Sequence, residues 1–288
     1  VSCKRADVLK LPLADFKALE SDLEKGFKRA AELLAEEKIF DDRSLPYATQ
    51  LIPLSAICAH LADRTTQHGV KQKLLRWYWS GVLGELYGGA NETRFGMDIQ
   101  DVVAWVESGS EPRTVRDANF APTRLLSLQS RLAAAYKGLA ALLMKHGGRD
   151  FVSGTPIDLN TYFNNAIDIH HVFPRAWCEK QKLPKEKWNS VVNKAPLAAG
   201  TNRFISGDAP SVYLARIQKA KQVAPDSLDE FLLSHVIPVP ALRSDDFVAF
   251  VRQPATALLK LIEQAMGKAI AGRDSEETVK AFGAALSS

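Results

Sequence analysis

The sequence predicts a mainly α protein with one small strand-containing insert, an α+β arrangement. Three observations predict it. Apolar residues recur at helical spacing towards both ends of the chain, the stretch from Asp150 to Pro174 breaks that rhythm, and a basic excess overlaps the break. Taken in order, Phe16, Leu19, Leu23, Phe27, Ala30 and Leu34 form the stripe of an amphipathic helix. A second apolar segment covers Leu51 to Leu61. Lys71 to Tyr87 contains LLRWYWSGVLGELY and is expected as a core helix that stops at Gly88 and Gly89. On that reading Trp77, Tyr78 and Trp79 pack inside and do not stack on bases. The next stripe, Leu125, Leu128, Leu132, Ala135, Leu139 and Leu142, begins after Pro122 and ends at Gly147 and Gly148.

From Asp150 the pattern changes. Gly154 and Pro156 interrupt it, Ile167, Ile169, Val172 and Phe173 alternate, and a small strand pair or loop is expected between Asp150 and Pro174. Ala195 to Gly200 reads as loop, with Thr201 capping a short helix that starts at Asn202. Ser227 to Val236, Ser244 to Arg252 and Ala255 to Ala269 are expected as helices, with Pro238, Pro240 and Pro254 as breaks. The expected division is a helical domain over 1–149, a strand-containing insert over 150–214 and carboxy-terminal helices over 215–288 packing on the rest.

Composition narrows the function classes. A hydrophobic share of 46% and a charged share of 24% fit an ordinary globular chain. No apolar run is long enough to cross a bilayer, and VSCKRADVLKLPL lacks the apolar centre of a signal peptide, so no membrane and a cytoplasmic location are expected. The opening Val fits a piece of a longer protein. Cys3, Cys58 and Cys178 are odd in number and far apart, which argues against a disulfide framework or a paired zinc site. The net charge is only +4, yet seven cations stand against three carboxylates between Ala166 and Arg203, so this window holds the whole excess.

Within that window DIHHVFP (Asp168 to Pro174) is followed by NKAPLAAGTNR (Asn193 to Arg203). Together they resemble the HNH, or His-Me finger, endonuclease motif. The resemblance implies a ββα-metal fold in which His171 is the general base, His170 a metal ligand, Asn193 the residue that orients the base and Asn202 a helix-borne ligand. Asp168 would complete the metal shell directly or through water. The chemistry asks for the same types. Phosphodiester hydrolysis needs a base near neutrality, which histidine supplies, and a carbonyl acceptor on one ring nitrogen fixes the tautomer that frees the other. A carboxylate, an amide oxygen and one imidazole with waters suit Mg2+ or Mn2+ better than zinc. Arg203, Lys194 and Arg175 are the expected phosphate and DNA contacts. His60, His68, His146 and His235 have no partners at telling spacings.

Stretches such as RWYWSGVLGELYGGANETRF and NKAPLAAGTNRFISGDAPSVYL also resemble the carboxy-terminal half of GmrSD-type restriction proteins, which join an amino-terminal nucleotide-sensing domain to an HNH nuclease. No DGQQR-like motif and no GxxxxGK[ST] phosphate loop is present, so nucleotide hydrolysis is not expected of this chain. The implied function is a DNA nickase of a phage-defence protein, leaving 5′-phosphate and 3′-hydroxyl ends. Its implied partners are DNA, a sensing domain outside the chain and a second copy in a homodimer. The competing reading is a non-catalytic nucleic-acid-binding module of the same fold.

Overall fold

Amphipathic stripes and glycine-marked ends dictate most of the helices seen in the computed structural model, which describes residues 4–89, 91–107 and 109–287. The protein is mainly helical, with one two-stranded antiparallel sheet among the described residues. Residues 1–120 with 264–268 form one compact unit, and residues 121–263 with 269–288 form another. The boundary expected at 149/150 lies inside the second. No helix among the described residues is long and apolar enough to cross a membrane.

The first unit contains α1 (Arg5–Val8), α2 (Leu13–Glu36), α3 (Leu51–Leu61), α4 (His68–Leu83), α5 (Glu92–Glu107) and α6 (Arg113–Asp117). Only half of the expected α2 stripe is used. Ala30 and Leu34 are buried, whereas Phe16 and Phe27 are 43% and 48% exposed. Gly26 lets α2 approach α3, because a Cβ there would lie 2.4 Å from the Ser55 carbonyl oxygen. Trp77, Tyr78 and Trp79 are buried as expected. The helix carrying them ends at Leu83, short of Tyr87, where Glu85 takes a left-handed φ of 52°. Two buried pairs tie polar groups together in this core. Trp79 Nε1 donates to Glu37 at 2.9 Å, and Thr114 Oγ1 donates to the buried Asp98 carboxylate at 2.6 Å.

The second unit contains α7 (Arg124–Ser127), α8 (Ala134–Lys145), α9 (Leu159–Asn164), β1 (Asp168–His171), α10 (Arg175–Lys180), α11 (Lys185–Trp188), β2 (Lys194–Leu197), α12 (Ala199–Ile205) and α13 (Pro210–Lys221). It continues with α14 (Pro225–Leu233), α15 (Val239–Arg243), α16 (Phe247–Met266, its last turn grouped with the first unit) and α17 (Glu276–Phe282). Four sequence expectations are corrected. The stripe Leu125 to Leu142 is not one helix, because the Leu128 carbonyl accepts Val191 N–H at 2.8 Å and Leu132 is left 85% exposed between α7 and α8. The partner of β1 is not within Asp150 to Pro174 but in the stretch expected as loop, at Lys194–Leu197. Thr201 caps nothing: α12 starts at Ala199 and Thr201 is buried within it. Pro254 does not break α16. Proline costs a helix interior about 3 kcal/mol. Buried Phe250, Val251, Ala255, Leu258, Leu259 and Ile262 on the same helix outweigh that, at roughly 1.5–3 kcal/mol for a fully buried large side chain.

Candidate active site

The antiparallel register pairs Asp168 with Leu197, Ile169 with Pro196, His170 with Ala195 and His171 with Lys194. Strand alternation then sends Asp168 and His170 to one face and His171 to the other. The exit of β1 is fixed by packing. Phe173 meets Phe247 and Phe250 edge-on at 5.2 and 4.9 Å, and Tyr213 Oη donates to the Val172 carbonyl at 2.9 Å. Helix α12 follows β2 after a single residue, while α10 and α11 lie in the chain between the two strands.

His171 is half-buried, with its ring 5.6 Å from that of Trp188. Its Nε2 lies 3.1 Å from Asn189 Oδ1. Asn189 Nδ2 donates in turn to Gln129 Oε1 at 3.5 Å, which orients the amide oxygen towards the ring. The consistent tautomer has the proton on Nε2 and a lone pair on Nδ1. Burial, aided by the Lys194 ammonium opposite, lowers its pKa to about 4, so the ring is neutral at physiological pH.

His170 differs. Its Nε2 is buried and makes no hydrogen bond within the chain. Burial lowers its pKa, and the charge of Asp168 opposes that. Asp168 is half exposed, its Oδ2 3.3 Å from Arg131 Nη1 and its Oδ1 accepting the Ile169 N–H at 2.8 Å. On α12, Asn202 is half-buried and Arg203 exposed. No three His, Cys, Asp or Glu side chains among the described residues come together as a metal shell. Asp168 and His170 offer one carboxylate and one imidazole on this face of β1, and Asn202 carries an amide on α12. A divalent cation fits this set at one point above all, the orphaned His170 nitrogen, since a buried polar atom without a partner is costly unless something outside the chain satisfies it.

Asn193 is not beside the His171 ring. It is fully buried, Oδ1 accepts the Phe173 N–H at 2.8 Å, and Nδ2 donates to the carbonyls of Phe173 at 3.0 Å and Trp188 at 2.8 Å. The ring contact expected of it is made by Asn189. Lys194 points its ammonium at the Gln129 carbonyl, 3.0 Å away, and over the Tyr136 ring, and burial lowers its pKa to about 8. Arg175 is exposed and pairs with Glu179 at 2.8 Å. Sequence reasoning also missed Asp150. This buried carboxylate accepts from Thr201 Oγ1 at 2.7 Å, from Ala198 N–H at 3.1 Å and from the N–H groups of Val152 and Ser153, both at 3.0 Å, and so fastens the start of α12. A lone aspartate between two glycine-containing turns carries no local signal of that role. Cys58 and Cys178 are buried, and burial pushes both thiols up to about 12, while Cys3 lies outside the described residues.

No protein-family model matches the chain. An uncharacterized protein of Methanocaldococcus jannaschii is 30% identical to it over 177 residues, which cover 57% of this chain and 30% of that relative. The chain thus spans less than a third of that relative's length.

Proposed function

We propose that the chain is a metal-dependent DNA endonuclease that hydrolyses one phosphodiester bond per encounter, the nuclease part of a restriction or anti-phage protein. One observation carries the reading: on the strand that pairs with β2, a neutral histidine with a tethered Nε2 stands next to a histidine whose buried Nε2 has no partner. His171 Nδ1 is the proton acceptor for the attacking water, and Asn189 holds the tautomer that leaves this nitrogen free. His170, Asp168 and Asn202 are the residues to hold Mg2+ or Mn2+. Bound there, the ion supplies charge stabilisation at the leaving 3′ oxygen. Arg203 offers a planar fork to phosphate oxygens, and Asn193 acts one step back, by fixing the turn that follows His171. A nick is the unit of action, and a double-strand break takes a second copy.

The test is supercoiled plasmid incubated with magnesium or manganese. His171→Ala should reduce nicking at least a hundredfold while leaving the circular dichroism spectrum unchanged. Undiminished nicking removes His171 as the base. The Arg131 to Asp168 ion pair favours the competing reading of a binding module without catalysis. That reading predicts salt-sensitive DNA binding with no product at any metal concentration.

A further inference from the structure

The crossover between β1 and β2 is a small basic lobe. From Arg175 to Lys187 it carries Arg175, Lys180, Lys182, Lys185 and Lys187 against Glu179 and Glu186. Glu179 is taken by Arg175. The four lysines have no ion-pair partner among the described residues; three are exposed and Lys187 is half-buried. Scattered solvated lysines are ordinary. These are not scattered, and their support is rigid. The Asn193 amide ties Phe173 at one end of the lobe to Trp188 at the other, and Cys178 and Trp188 are buried beneath it. Lys182 sits at φ 55°, a left-handed conformation that glycine or asparagine takes more readily, so the backbone gains nothing from lysine there.

The lobe is also tied to the histidine. Trp188 packs on the His171 ring and Asn189 bonds to it. Both tryptophans of the lobe turn inward, Trp177 against Phe173 at 5.2 Å and Trp188 against His171, so no exposed ring waits for an unpaired base. We infer that this lobe is the docking surface for the phosphate backbone of duplex DNA, with Lys180, Lys182, Lys185 and Lys187 contacting phosphates without reading sequence. The choice of partner rests on the nuclease reading above.

The test is fluorescence anisotropy with an end-labelled 20-base-pair duplex in EDTA, from 50 to 200 mM salt, using the full chain. Each neutralised phosphate adds about 0.9 to the slope of log K against log salt. Replacing all four lysines by Gln should reduce the steepness of the slope by about 3.6 and weaken binding by roughly a thousandfold at 0.1 M salt. The control Lys219→Gln with Lys260→Gln, which removes two exposed lysines elsewhere in the same unit, should change the slope by well under one. Lys182→Gly alone should weaken binding while raising or preserving the melting temperature, a combination that a structural lysine does not give. An unchanged slope in the fourfold variant, no duplex binding by the parent, or tighter binding of single-stranded DNA or RNA of the same length overturns the inference. The two readings fail separately. A parent that binds duplex steeply but never cuts it with magnesium sinks the nuclease and keeps the lobe; a fourfold variant that binds like the parent sinks the lobe and leaves the nuclease.

Discussion

At the base of the lobe, the Asn193 side chain has a backbone partner for its oxygen and for both of its amide hydrogens. On β1, four residues before Pro174, the buried His170 Nε2 has none. Both are buried polar groups within the same small motif, but chain stability depends on them in opposite ways. A satisfied buried network costs a great deal to break, whereas an unsatisfied buried atom already costs the folded state. The first is architecture. The second is where a ligand from outside has the most to offer.

The sharpest way to break that contrast is Asn193→Ala. It strands the Phe173 N–H and the Trp188 carbonyl in a dry interior and leaves the Phe173 carbonyl only the weak Cys178 thiol donor. Leaving such groups unpaired costs about 1–3 kcal/mol each before any relaxation, so a loss of roughly 3 kcal/mol or more is expected. For a unit of this size that lowers the melting temperature by about 6–12 °C in a calorimetric scan. Asn193→Asp should do little better, because an acceptor would then face two carbonyls. A variant that melts with the parent shows that Asn193 is not the clamp.

A second buried histidine extends the comparison to pH. His235 Nε2 donates to the Arg149 carbonyl at 2.7 Å, its Nδ1 is buried without a partner, and burial lowers its pKa to about 4. The folded pKa lies below the ordinary value near 6.5, so between those values the unfolded chain binds the extra proton. Stability contributed by the neutral ring is therefore full above about pH 6.5 and declines as pH falls towards 4. The scale is on the order of 3 kcal/mol at the acid end. His235→Phe should flatten the dependence of the melting temperature on pH across that window. An unchanged acid slope shows that His235 charges freely in the folded state.

Asp150→Asn comes next in size. Its added N–H2 would face the N–H donors that the carboxylate now receives, releasing the start of α12 at a cost of about 1–3 kcal/mol. Denaturant midpoints measure it, and a shift within error of zero removes Asp150 as the fastening of that helix.

These residues also show what the sequence could say. Helical stripes were legible where burial repeats every three or four residues, as at Leu228 and Leu232 of α14, whereas α4 was legible from its dense apolar run, buried without a break from Trp77 to Leu83. The strand that holds His170 and His171 was legible from the alternation of Ile167, Ile169 and Val172. Asn189 was not, since only the fold carries its amide to the His171 ring. Nor was β2, whose KAPL reads as loop until β1 lies beside it. The partner of Asp150 stands 51 residues further on. Local pattern reports which face of an element is apolar; it does not report which distant backbone groups a polar side chain will meet.

The smallest stability effect is the most diagnostic. His170→Ala removes an imidazole whose buried nitrogen has no partner, so the penalty of that orphan cancels much of the packing lost with the ring. The melting temperature without metal should move by less than the equivalent of about 1 kcal/mol. What should disappear is the response to manganese. A ligand that binds only the folded state stabilises it by about 2.7 kcal/mol at a hundred times its dissociation constant, which the parent should show as a concentration-dependent rise in melting temperature. The Ala variant should show little or none of it, while Asn193→Ala, already destabilised, should keep a rise of its own. If His170→Ala and the parent gain equally from manganese, the orphaned nitrogen is not a metal ligand. The contrast between the two buried groups would then be one of packing alone.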